Sequence, residues 1–491
     1  MTVVSGSVTV GIDIGTTAVK AVAADETGTV LARARVPHRL LTPAPDQLEH
    51  DAAQAWRRGP MRALAQVTQG VSHLAAVCVT SMVPSLAAVD GRGIPRSPGL
   101  LYGDARGRYV PGAGGSVTPP VGEAPPRDMD AAMPDAGGFV RWAVHHAPGA
   151  RGYWPAQAVA NYALGRVPAI DTGTAICMSS MRTGNRWNPE VLADLGVTEK
   201  QLPVVVNMGE PAGTVSGTDT VLAAGTVDAL CDQIVSGATQ AGDVLVIFGA
   251  TLIVWAVVDD WVEAPGLWTL PHTVAGKVLV GGPSNAGALF VDWARTMLHG
   301  AARRPPRSVG PATPATPATR ATPATQPDLA AEEERQGDPG RVPVWTPYLR
   351  GERAPYHDTT LRAGLHDLDL THDAQSVERA AYEASGFVIR HMLDRAGVVA
   401  RRVVASGGGT HVVPWMQGVA DATGLPVDTV GVPEGSALGA AYIARWTAGL
   451  ESSLDGAQQW ARVGRRLEPD ERWAAAASQR YARFLQLSPQ T

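Results

Sequence analysis

Residues 8–25 read VTVGIDIGTTAVKAVAAD. The β-branched residues in the first half of this stretch favour a strand, and the second half reaches a DETG turn signal too soon for a convincing helix. The stretch therefore predicts a β-hairpin whose two strands are joined by a tight turn at Gly15, Thr16 and Thr17. A Walker A loop is excluded, because it would end in Gly-Lys-Ser or Gly-Lys-Thr and continue into a helix.

The predicted turn is suited to holding phosphate. Its successive backbone N–H groups and the hydroxyls of Thr16 and Thr17 can surround phosphate oxygens. Asp13, at the end of the first strand, is placed for a hydrated Mg²⁺, and Lys20 in the second strand is one of only three lysines in the chain. The alternative is an ordinary first hairpin with a glycine turn, and a codon bias could by itself explain the scarcity of lysine.

The composition predicts a globular protein of two or three domains. The chain has 491 residues, of which 45% are hydrophobic and 18% are charged, so it is long and apolar enough to form full cores. Its net charge of −5 comes without a concentration of basic residues. Nucleic acid is therefore not an expected partner.

Cysteine usage and hydropathy indicate a cytoplasmic, soluble protein. The three cysteines, Cys78, Cys177 and Cys231, form no CxxC pair, which argues against a disulfide framework or a zinc site and for a reducing compartment. No basic and then apolar leader precedes Val8. The longest uncharged run, residues 244–258, is shorter than the ~20 residues that span a bilayer, so a membrane is not an expected partner.

Two places in the first half of the chain carry residues that could contact a ligand. A predicted buried strand at residues 71–79 is followed by Met82 and Val83, and strand ends in α/β folds commonly supply ligand-contacting side chains. Asp104 and Arg106 lie two residues apart after a turn. The alternative for that pair is an ion pair on the solvated surface.

A carboxylate at a predicted helix start is the next informative feature. Residues 223–232 read AAGTVDALCD, so Asp228 follows a glycine turn and opens an apolar helix. One interpretation is an N-cap, because aspartate at a helix start accepts backbone N–H bonds. The other is a catalytic base that accepts a proton from a substrate hydroxyl as its oxygen attacks phosphorus. The two interpretations do not exclude each other.

The opening hairpin is repeated in the second half of the chain. Residues 244–259 align with it when Gly249 is placed on Gly15 and Thr251 on Thr17, with Ala250 between them. Both copies then read as a strand, a Gly-x-Thr turn, a strand and an aspartate. The alternative is coincidence between two Gly-Thr hairpins, since short repeats are weak evidence.

The two copies differ at the acidic position. Ile247 takes the place of Asp13, so the second turn could hold phosphate but could not anchor a metal ion. We expect two related domains that each offer one phosphate turn, with a nucleotide between them.

The later part of the chain contains an insertion and a glycine-rich turn. Residues 301–340 carry a Pro-Ala-Thr repeat with almost nothing to bury, and we expect them to be a disordered insertion. A predicted strand then runs into Gly407, Gly408 and Gly409, ahead of a helix at residues 414–423. Such glycines let a backbone approach a ligand closely, and a helix N-terminus favours an anion.

These motifs together resemble the FGGY carbohydrate kinase family, within the superfamily of sugar kinases, actin and Hsp70-like ATPases, and among its members the xylulokinase-like ones. The resemblance covers nearly the whole chain apart from the insertion. It rests on GIDIGTT at 11–17, residues 225–228, residues 242–251, YLRGERAP at 348–355, and SGGG at 406–409 with Trp415, Gln417, Ala420, Asp421, Thr423 and Gly424.

The resemblance implies an α/β fold of two ribonuclease-H-like domains, as in actin-like ATPases, with an interdomain cleft that closes over Mg-ATP and a sugar or polyol. We expect the domains at residues 1–240 and 241–491. Asp228 is then the catalytic base and Asp13 lies at the Mg²⁺. The residues expected to bind ATP are Gly15, Thr16, Thr17, Lys20, Gly249, Ala250, Thr251, Gly407, Gly408, Gly409 and Gln417. Those expected at the acceptor substrate are Met82, Val83, Asp104, Arg106 and Asp228.

The sequence departs from the family pattern around the acceptor. Xylulokinases usually carry Gln-Met-His-Gly where this chain has residues 82–85, so Pro84 replaces a sugar-binding histidine, and Tyr102 and Gly103 stand where a tryptophan usually precedes the Asp-x-Arg. The resemblance implies a kinase for D-xylulose or for another ketose, polyol, sugar acid or cyclitol. A non-catalytic sugar- or nucleotide-sensing protein and an ATPase that needs no sugar are the other classes, and a homodimer is one oligomeric state open to the chain.

Overall fold

A computed structural model describes residues 7–71, 73–107, 136–178, 181–183, 186–300 and 337–489. The chain divides into two compact units, one of Met1–Gly237 with Glu434–Arg462 and the other of Ala238–Pro433 with Val463–Thr491. The change after Gly237 lies close to the expected boundary at residue 240. Residues 434–462, which we expected in the second domain, belong instead to the first unit. The expected disorder at 301–340 falls mostly on residues outside the described ranges.

Groups of strands and α-helices follow one another along the described chain. The strands are β1 (Val8–Ile14), β2 (Ala18–Ala24), β3 (Val30–Pro37), β4 (Glu49–His50), β5 (Leu74–Ser81), β6 (Ser85–Val89), β7 (Gly99–Leu101), β8 (Gly152–Trp154), β9 (Ala169–Asp171), β10 (Arg182–Thr183), β11 (Arg186–Trp187), β12 (Val204–Val206), β13 (Pro211–Thr214), β14 (Val221–Ala223), β15 (Thr226–Val227), β16 (Asp243–Phe248), β17 (Leu252–Val258), β18 (Trp268–Pro271), β19 (Val278–Ser284), β20 (Val344–Thr346), β21 (Gly364–His366), β22 (Arg402–Ser406), β23 (Val427–Val430) and β24 (Val463–Leu467).

The α-helices are α1 (Gly59–Val67), α2 (Ala136–His146), α3 (Ala156–Gly165), α4 (Thr172–Ile176), α5 (Pro189–Leu195), α6 (Asp228–Ile234), α7 (Ala288–His299), α8 (Ala374–Ala396), α9 (Val413–Thr423), α10 (Gly435–Thr447) and α11 (Glu471–Leu487). A π-helical turn, Ala53–Arg58, leads into α1. Within the described ranges, no helix is both long enough and apolar enough to cross a bilayer.

The first unit is built on a seven-stranded sheet with the order β13-β14-β5-β1-β2-β3, in which β15 also pairs with β5. β1 runs antiparallel to β2 and parallel to β5. The predicted hairpin is therefore confirmed, with every residue of β1 buried. A smaller sheet with the order β4-β7-β6-β8 completes the unit's main strands.

Helix α10 explains why the late segment belongs to the first unit. It packs on β1, where a Cβ on Gly11 would lie 1.8 Å from the carbonyl oxygen of Ala437. A Cβ on Gly439 would lie 2.0 Å from the carbonyl oxygen of Cys231 in α6. Only glycine permits such close approaches between backbones. Small residues in β1 and α10 thus bring parts of the chain that are far apart in sequence into one core.

The second unit repeats the strand pairing of the first. Its seven-stranded sheet has the order β18-β19-β17-β16-β22-β23-β24. β16 runs antiparallel to β17, with Phe248 opposite Leu252, and parallel to β22. These relations match those of β1 with β2 and β5, so the sequence repeat corresponds to a repeat of topology.

A buried ionic network ties α8, α9 and α11 of the second unit together. Arg379 donates to Glu383 at 3.0 Å and to Asp421 at 2.5 Å, and Arg480 donates to Glu383 at 2.7 Å. The four side chains are buried. Charges removed from water are stabilised only when paired and hydrogen-bonded, so these three helices depend on one another.

We expect Asp421→Ala to lower the free energy of unfolding of the second unit by about 3 kcal/mol or more, because it leaves Arg379 buried with half of its partners. Urea unfolding followed by circular dichroism measures the change. The control is Asp259→Ala, which removes an exposed ion pair with Lys277 and should cost less than about 1 kcal/mol. Equal losses for the two variants would contradict this account of the network.

Candidate active site

Three parallel strands bring distant residues to one edge of the first unit's sheet. Asp13 near the end of β1 lies opposite Thr80 of β5, which lies opposite Thr226 of β15. The carboxyl ends of β1, β5 and β15 therefore meet. Asp228 follows β15 directly, so the structure brings it to the same sheet edge as Asp13, as the catalytic interpretation requires.

Burial gives both carboxyl groups an unusually high proton affinity. Burial raises the pKa of Asp13 to about 7, opposed by the charge of Lys20 and reinforced by those of Asp228 and Asp232. Burial likewise raises the pKa of Asp228 to about 6, opposed by the N–H of Ala229 and by Lys20. Lys20 lies directly opposite Asp13 across the hairpin. Asp13 is therefore about half protonated at neutral pH, whereas Asp228 is mostly ionised there.

Asp228 is the first residue of α6 rather than its N-cap. The N-cap position is Val227, which has no capping side chain, and Asp228 Oδ1 accepts the N–H of Ala229 at 2.8 Å. The carboxylate thus takes part in the helix start without serving as the usual cap. Of the N-cap interpretation, only one part is found: Asp228 accepts a backbone N–H at the helix start, but the N-cap residue is Val227.

The bend that places Asp228 is held by two buried amides of α3. Gly225 has φ +88°, and a Cβ there would lie 1.8 Å from the carbonyl oxygen of Val79. Gln157 Nε2 and Asn161 Nδ2 donate to the carbonyl of Ala224 at 2.9 and 2.8 Å. The sequence analysis missed these two residues, although fully buried amides on an otherwise apolar helix are a signal of a specific hydrogen-bonding task.

The first turn is fixed through its carbonyl groups. The carbonyl of Thr16 accepts from His50 Nε2 at 2.8 Å, and that of Thr17 accepts from the N–H of His38 at 3.1 Å. The N–H and C=O of a trans peptide point in opposite directions. The N–H of Thr17 therefore points away from His50. The Thr16 hydroxyl also lies 2.8 Å from the hydroxyl of Tyr102, and it keeps further hydrogen-bonding capacity because a hydroxyl has one proton and two lone pairs.

The carbonyl groups of the second turn are also held, in this case by the start of a helix. The N–H groups of Ala288 and Leu289, at the start of α7, donate to the carbonyls of Gly249 and Ala250 at 2.9 and 3.0 Å. The N–H groups of Ala250 and Thr251 consequently point away from α7. Each turn thus has carbonyls tied to the protein and N–H groups on the opposite side, which suits an anion.

Asp13 has the properties of a ligand for a hydrated cation. Its Oδ1 is buried and has no hydrogen-bond partner among the described residues. Mg²⁺ usually keeps several water ligands and takes only one or two carboxylates, so the residues present fit such an ion. No group of three or more histidine, cysteine or acidic side chains within the described ranges forms a full ligand set.

Asp104 and Arg106 form an ion pair that is buried, so the surface alternative is wrong. Asp104 is fully buried, and its oxygens accept from Arg106 Nε at 2.9 Å, from the second guanidinium nitrogen at 2.7 Å and from the N–H of Leu48 at 2.7 Å. Glu49 lies 2.8 Å from the same guanidinium. The pair is therefore a fixed structural unit at the end of β7. Met82, buried after β5, is placed at the sheet edge described above.

The glycine-rich turn follows β22 as predicted. Gly407 has φ +90°, and a Cβ on Gly409 would lie 2.6 Å from the ring of Trp415. Gln417 donates its amide to Asp421 at 2.9 Å and to the carbonyl of Glu468 at 2.9 Å. These contacts place the amide of Gln417 within the ionic network, so its expected role at the nucleotide stays a prediction.

Two domain models of one family match this chain. The N-terminal domain of the FGGY family of carbohydrate kinases matches residues 8–108, and the C-terminal domain of the same family matches residues 245–448. The chain belongs to the FGGY family of carbohydrate kinases. This FGGY chain is therefore a phosphotransferase, and the expected family is confirmed.

Relatives of this FGGY kinase act on different acceptors by name. A glycerol kinase from Leifsonia xyli subsp. xyli is 25% identical over 499 residues, covering 94% of this chain and 93% of its own. A xylulose kinase from Escherichia coli is 24% identical over 471 residues, covering 91% of each chain. The crystal structure of xylulose kinase from Rhodospirillum rubrum has a TM-score of 0.70 at 23% identity and 98% coverage of both chains. The two-domain fold is confirmed, and the acceptor is left open.

We expect Asp13→Asn to stabilise the kinase near pH 8 without nucleotide or metal, by on the order of 2 kcal/mol. Because burial raises the pKa of Asp13 from 3.8 to about 7, the stability that the protonated carboxyl contributes is full below 3.8 and is lost as pH rises through 7. Asparagine does not titrate, so the gain should shrink toward pH 4. Urea midpoints in a chelating buffer at several pH values measure it.

Asp243→Asn is the control of opposite sign. Although burial raises the pKa of Asp243, hydrogen bonds from Arg402 and Arg401 outweigh it and lower the pKa to about 2. Its contribution is present above 3.8 and is lost as pH falls through 2, so Asp243→Asn should destabilise the kinase near pH 8. An Asp13→Asn variant that is less stable than the wild type near pH 8 would show that Asp13 is not strained by ionisation.

Proposed function

We propose that this kinase transfers the γ-phosphoryl group of Mg-ATP to a hydroxyl of a sugar or polyol, with Asp228 as the catalytic base. The observation that carries the proposal is the convergence of Asp13 and Asp228 on one sheet edge, beside a turn whose carbonyls are tied back. Kinases of this family use ATP, and phosphoryl transfer depends mainly on positioning and on electrostatic stabilisation. This site offers means for both.

Asp228 binds the hydroxyl group of the acceptor and accepts its proton. Its carboxylate orients the attacking hydroxyl and takes up the proton as the bond to phosphorus forms. A pKa of about 6 leaves most of the group ionised at neutral pH while giving it more affinity for a proton than an exposed aspartate has. That balance is what efficient proton transfer near neutral pH requires.

Backbone N–H groups and threonine hydroxyls are the groups that we assign to phosphate in each unit. We assign this role to Thr16 and Thr17 in the first unit and to Gly249, Ala250 and Thr251 in the second. Lys20 offsets negative charge next to Asp13. We assign Gly407, Gly408 and Gly409 to the nucleoside, because glycine permits a close backbone approach.

Asp13 would hold the magnesium ion, through its buried and unpartnered oxygen. The ion, when bound, offsets the negative charge of the phosphates. The expected location in the cytoplasm is supported by the three free cysteines, since Cys78 and Cys231 are buried thiols and such thiols persist in reducing compartments. A homodimer remains a prediction.

D-Xylulose is the first acceptor to test, and another ketose, polyol, sugar acid or cyclitol is the alternative. Met82 and Val83 lie after β5, at the same edge as Asp228. Asp104 and Arg106 form an ion pair, and Glu49 contacts the same guanidinium. We assign this fixed pair to the wall of the acceptor site. Because Pro84 cannot offer the hydrogen bonds of a histidine, the acceptor is recognised here by other groups than in xylulokinases.

Asp228→Asn should leave ATP affinity near normal and reduce phosphoryl transfer by ~10² or more, since the amide cannot accept the proton. Isothermal titration with Mg-ATP and a coupled assay of ADP release measure the two quantities. Asp232→Asn is the matched control, one turn further along α6, and should lose less than about tenfold. Undiminished turnover in Asp228→Asn would sink the assignment.

A panel of acceptors tests the reaction itself. ADP release is measured with ketoses, aldoses, polyols, sugar acids and cyclitols, and we expect a strong increase with one class of acceptor. ATP turnover that is the same with and without every acceptor would favour an ATPase instead. Nucleotide or sugar binding without any turnover would favour a sensing protein.

A further inference from the structure

A buried histidine contacts the first turn through a backbone carbonyl group. His50, the last residue of β4, is fully buried, and its Nε2 lies 2.8 Å from the carbonyl oxygen of Thr16. Its other ring nitrogen, Nδ1, accepts a hydrogen bond from Trp56 Nε1 at 3.0 Å. Trp56 is also fully buried. A continuous line of hydrogen bonds therefore runs from Trp56 through His50 to the turn.

The direction of these hydrogen bonds is fixed by the indole. Tryptophan Nε1 can only donate, so His50 Nδ1 must accept and the ring proton must sit on Nε2. Burial and the neighbouring ring of His38, whose centroid is 4.4 Å away, lower the pKa of His50 to about 3. The ring is thus neutral, in one tautomer, near neutral pH.

We propose that His50, with its tautomer set by Trp56, is a positioning residue that aims the N–H groups of the first turn at a nucleotide phosphate. The inference rests on the proposed function, in which this turn holds phosphate. When the Thr16 carbonyl is held by His50, the N–H of Thr17 on the same peptide plane faces the other way. Without that bond the peptide could rotate and present its carbonyl oxygen to the phosphate, which would repel it.

The second turn supports the same reading by a different means. There the carbonyls of Gly249 and Ala250 accept from the backbone at the start of α7. In the first turn, which leads into the strand β2, the Thr16 carbonyl accepts from the side chain of His50. A side chain thus does for the first turn what a helix terminus does for the second, and both leave the N–H groups preorganised for an anion.

The test separates phosphate binding from folding. In His50→Leu, which keeps apolar bulk but removes both hydrogen bonds, we expect affinity for Mg-ATP to fall tenfold or more, with KM for ATP rising to match and adenosine affinity unchanged. Trp56→Phe keeps an aromatic ring but removes the indole donor together with part of the buried ring volume, and the affinity for Mg-ATP should fall about threefold. His50→Gln, whose amide can still donate to Thr16, should recover most of the affinity. Calorimetric titrations with Mg-ATP and adenosine measure these values.

Three results would overturn the proposal. The first is His50→Leu with Mg-ATP affinity within twofold of the wild type. The second is an equal loss of Mg-ATP and adenosine affinity, which indicates a purely structural role. The third is a Trp56→Phe variant, folded by circular dichroism, with unchanged affinity for Mg-ATP.

Thr17→Val distinguishes failure of this inference from failure of the proposed function. Thr17 belongs to the turn itself, and its hydroxyl is assigned to phosphate. If Thr17→Val weakens Mg-ATP binding while His50→Leu does not, only the role of His50 is wrong. If neither variant weakens Mg-ATP binding, the part of the proposed function that assigns the first turn to phosphate fails as well.

Discussion

Removing two carboxylates from water is the constraint on which the first unit depends. Asp13 and Asp228 lie at one sheet edge, and burial raises the pKa of Asp13 to about 7 and that of Asp228 to about 6. Lys20 lies opposite Asp13 in the hairpin, and the N–H of Ala229 supports Asp228. These groups lower the free-energy cost of ionising the two carboxyl groups without removing it. Under the proposed function, a bound cation and an acceptor hydroxyl make use of this negative charge, in keeping with the general trade between stability and function.

Preorganised backbone is the second theme of the structure. A peptide group is rigid, so holding its carbonyl also fixes its N–H. The two turns are related by sequence and by strand pairing, yet the partners of their carbonyls differ in kind. A helix terminus serves the turn at Gly249, and a histidine serves the turn at Thr16. Repetition of the topology did not require repetition of the supporting groups.

The local features of the site could be predicted from the sequence, and the long-range ones could not. The hairpin turns, the helix start at Asp228 and the glycine-rich turn are set by neighbours in the chain, and the structure has all three. The burial of Asp104 depends on Leu48, Glu49 and Arg106 meeting in space, which spacing alone did not reveal. A buried ion pair and a surface ion pair read alike in a sequence, because the difference lies in what covers them.

The assignment of residues 434–462 to the first unit was missed for the same reason, because it depends on contacts between residues far apart in the sequence. It also affects how the protein folds during synthesis. Helix α10 fills the space beside Gly11 that no side chain could occupy. On the ribosome, β1 acquires this cover only after residues 238–433 of the second unit have been synthesised. At ~5–20 residues per second the wait is on the order of a minute. During that time the face of the first sheet that α10 later covers stays exposed, and exposed apolar surface on an incomplete chain favours aggregation.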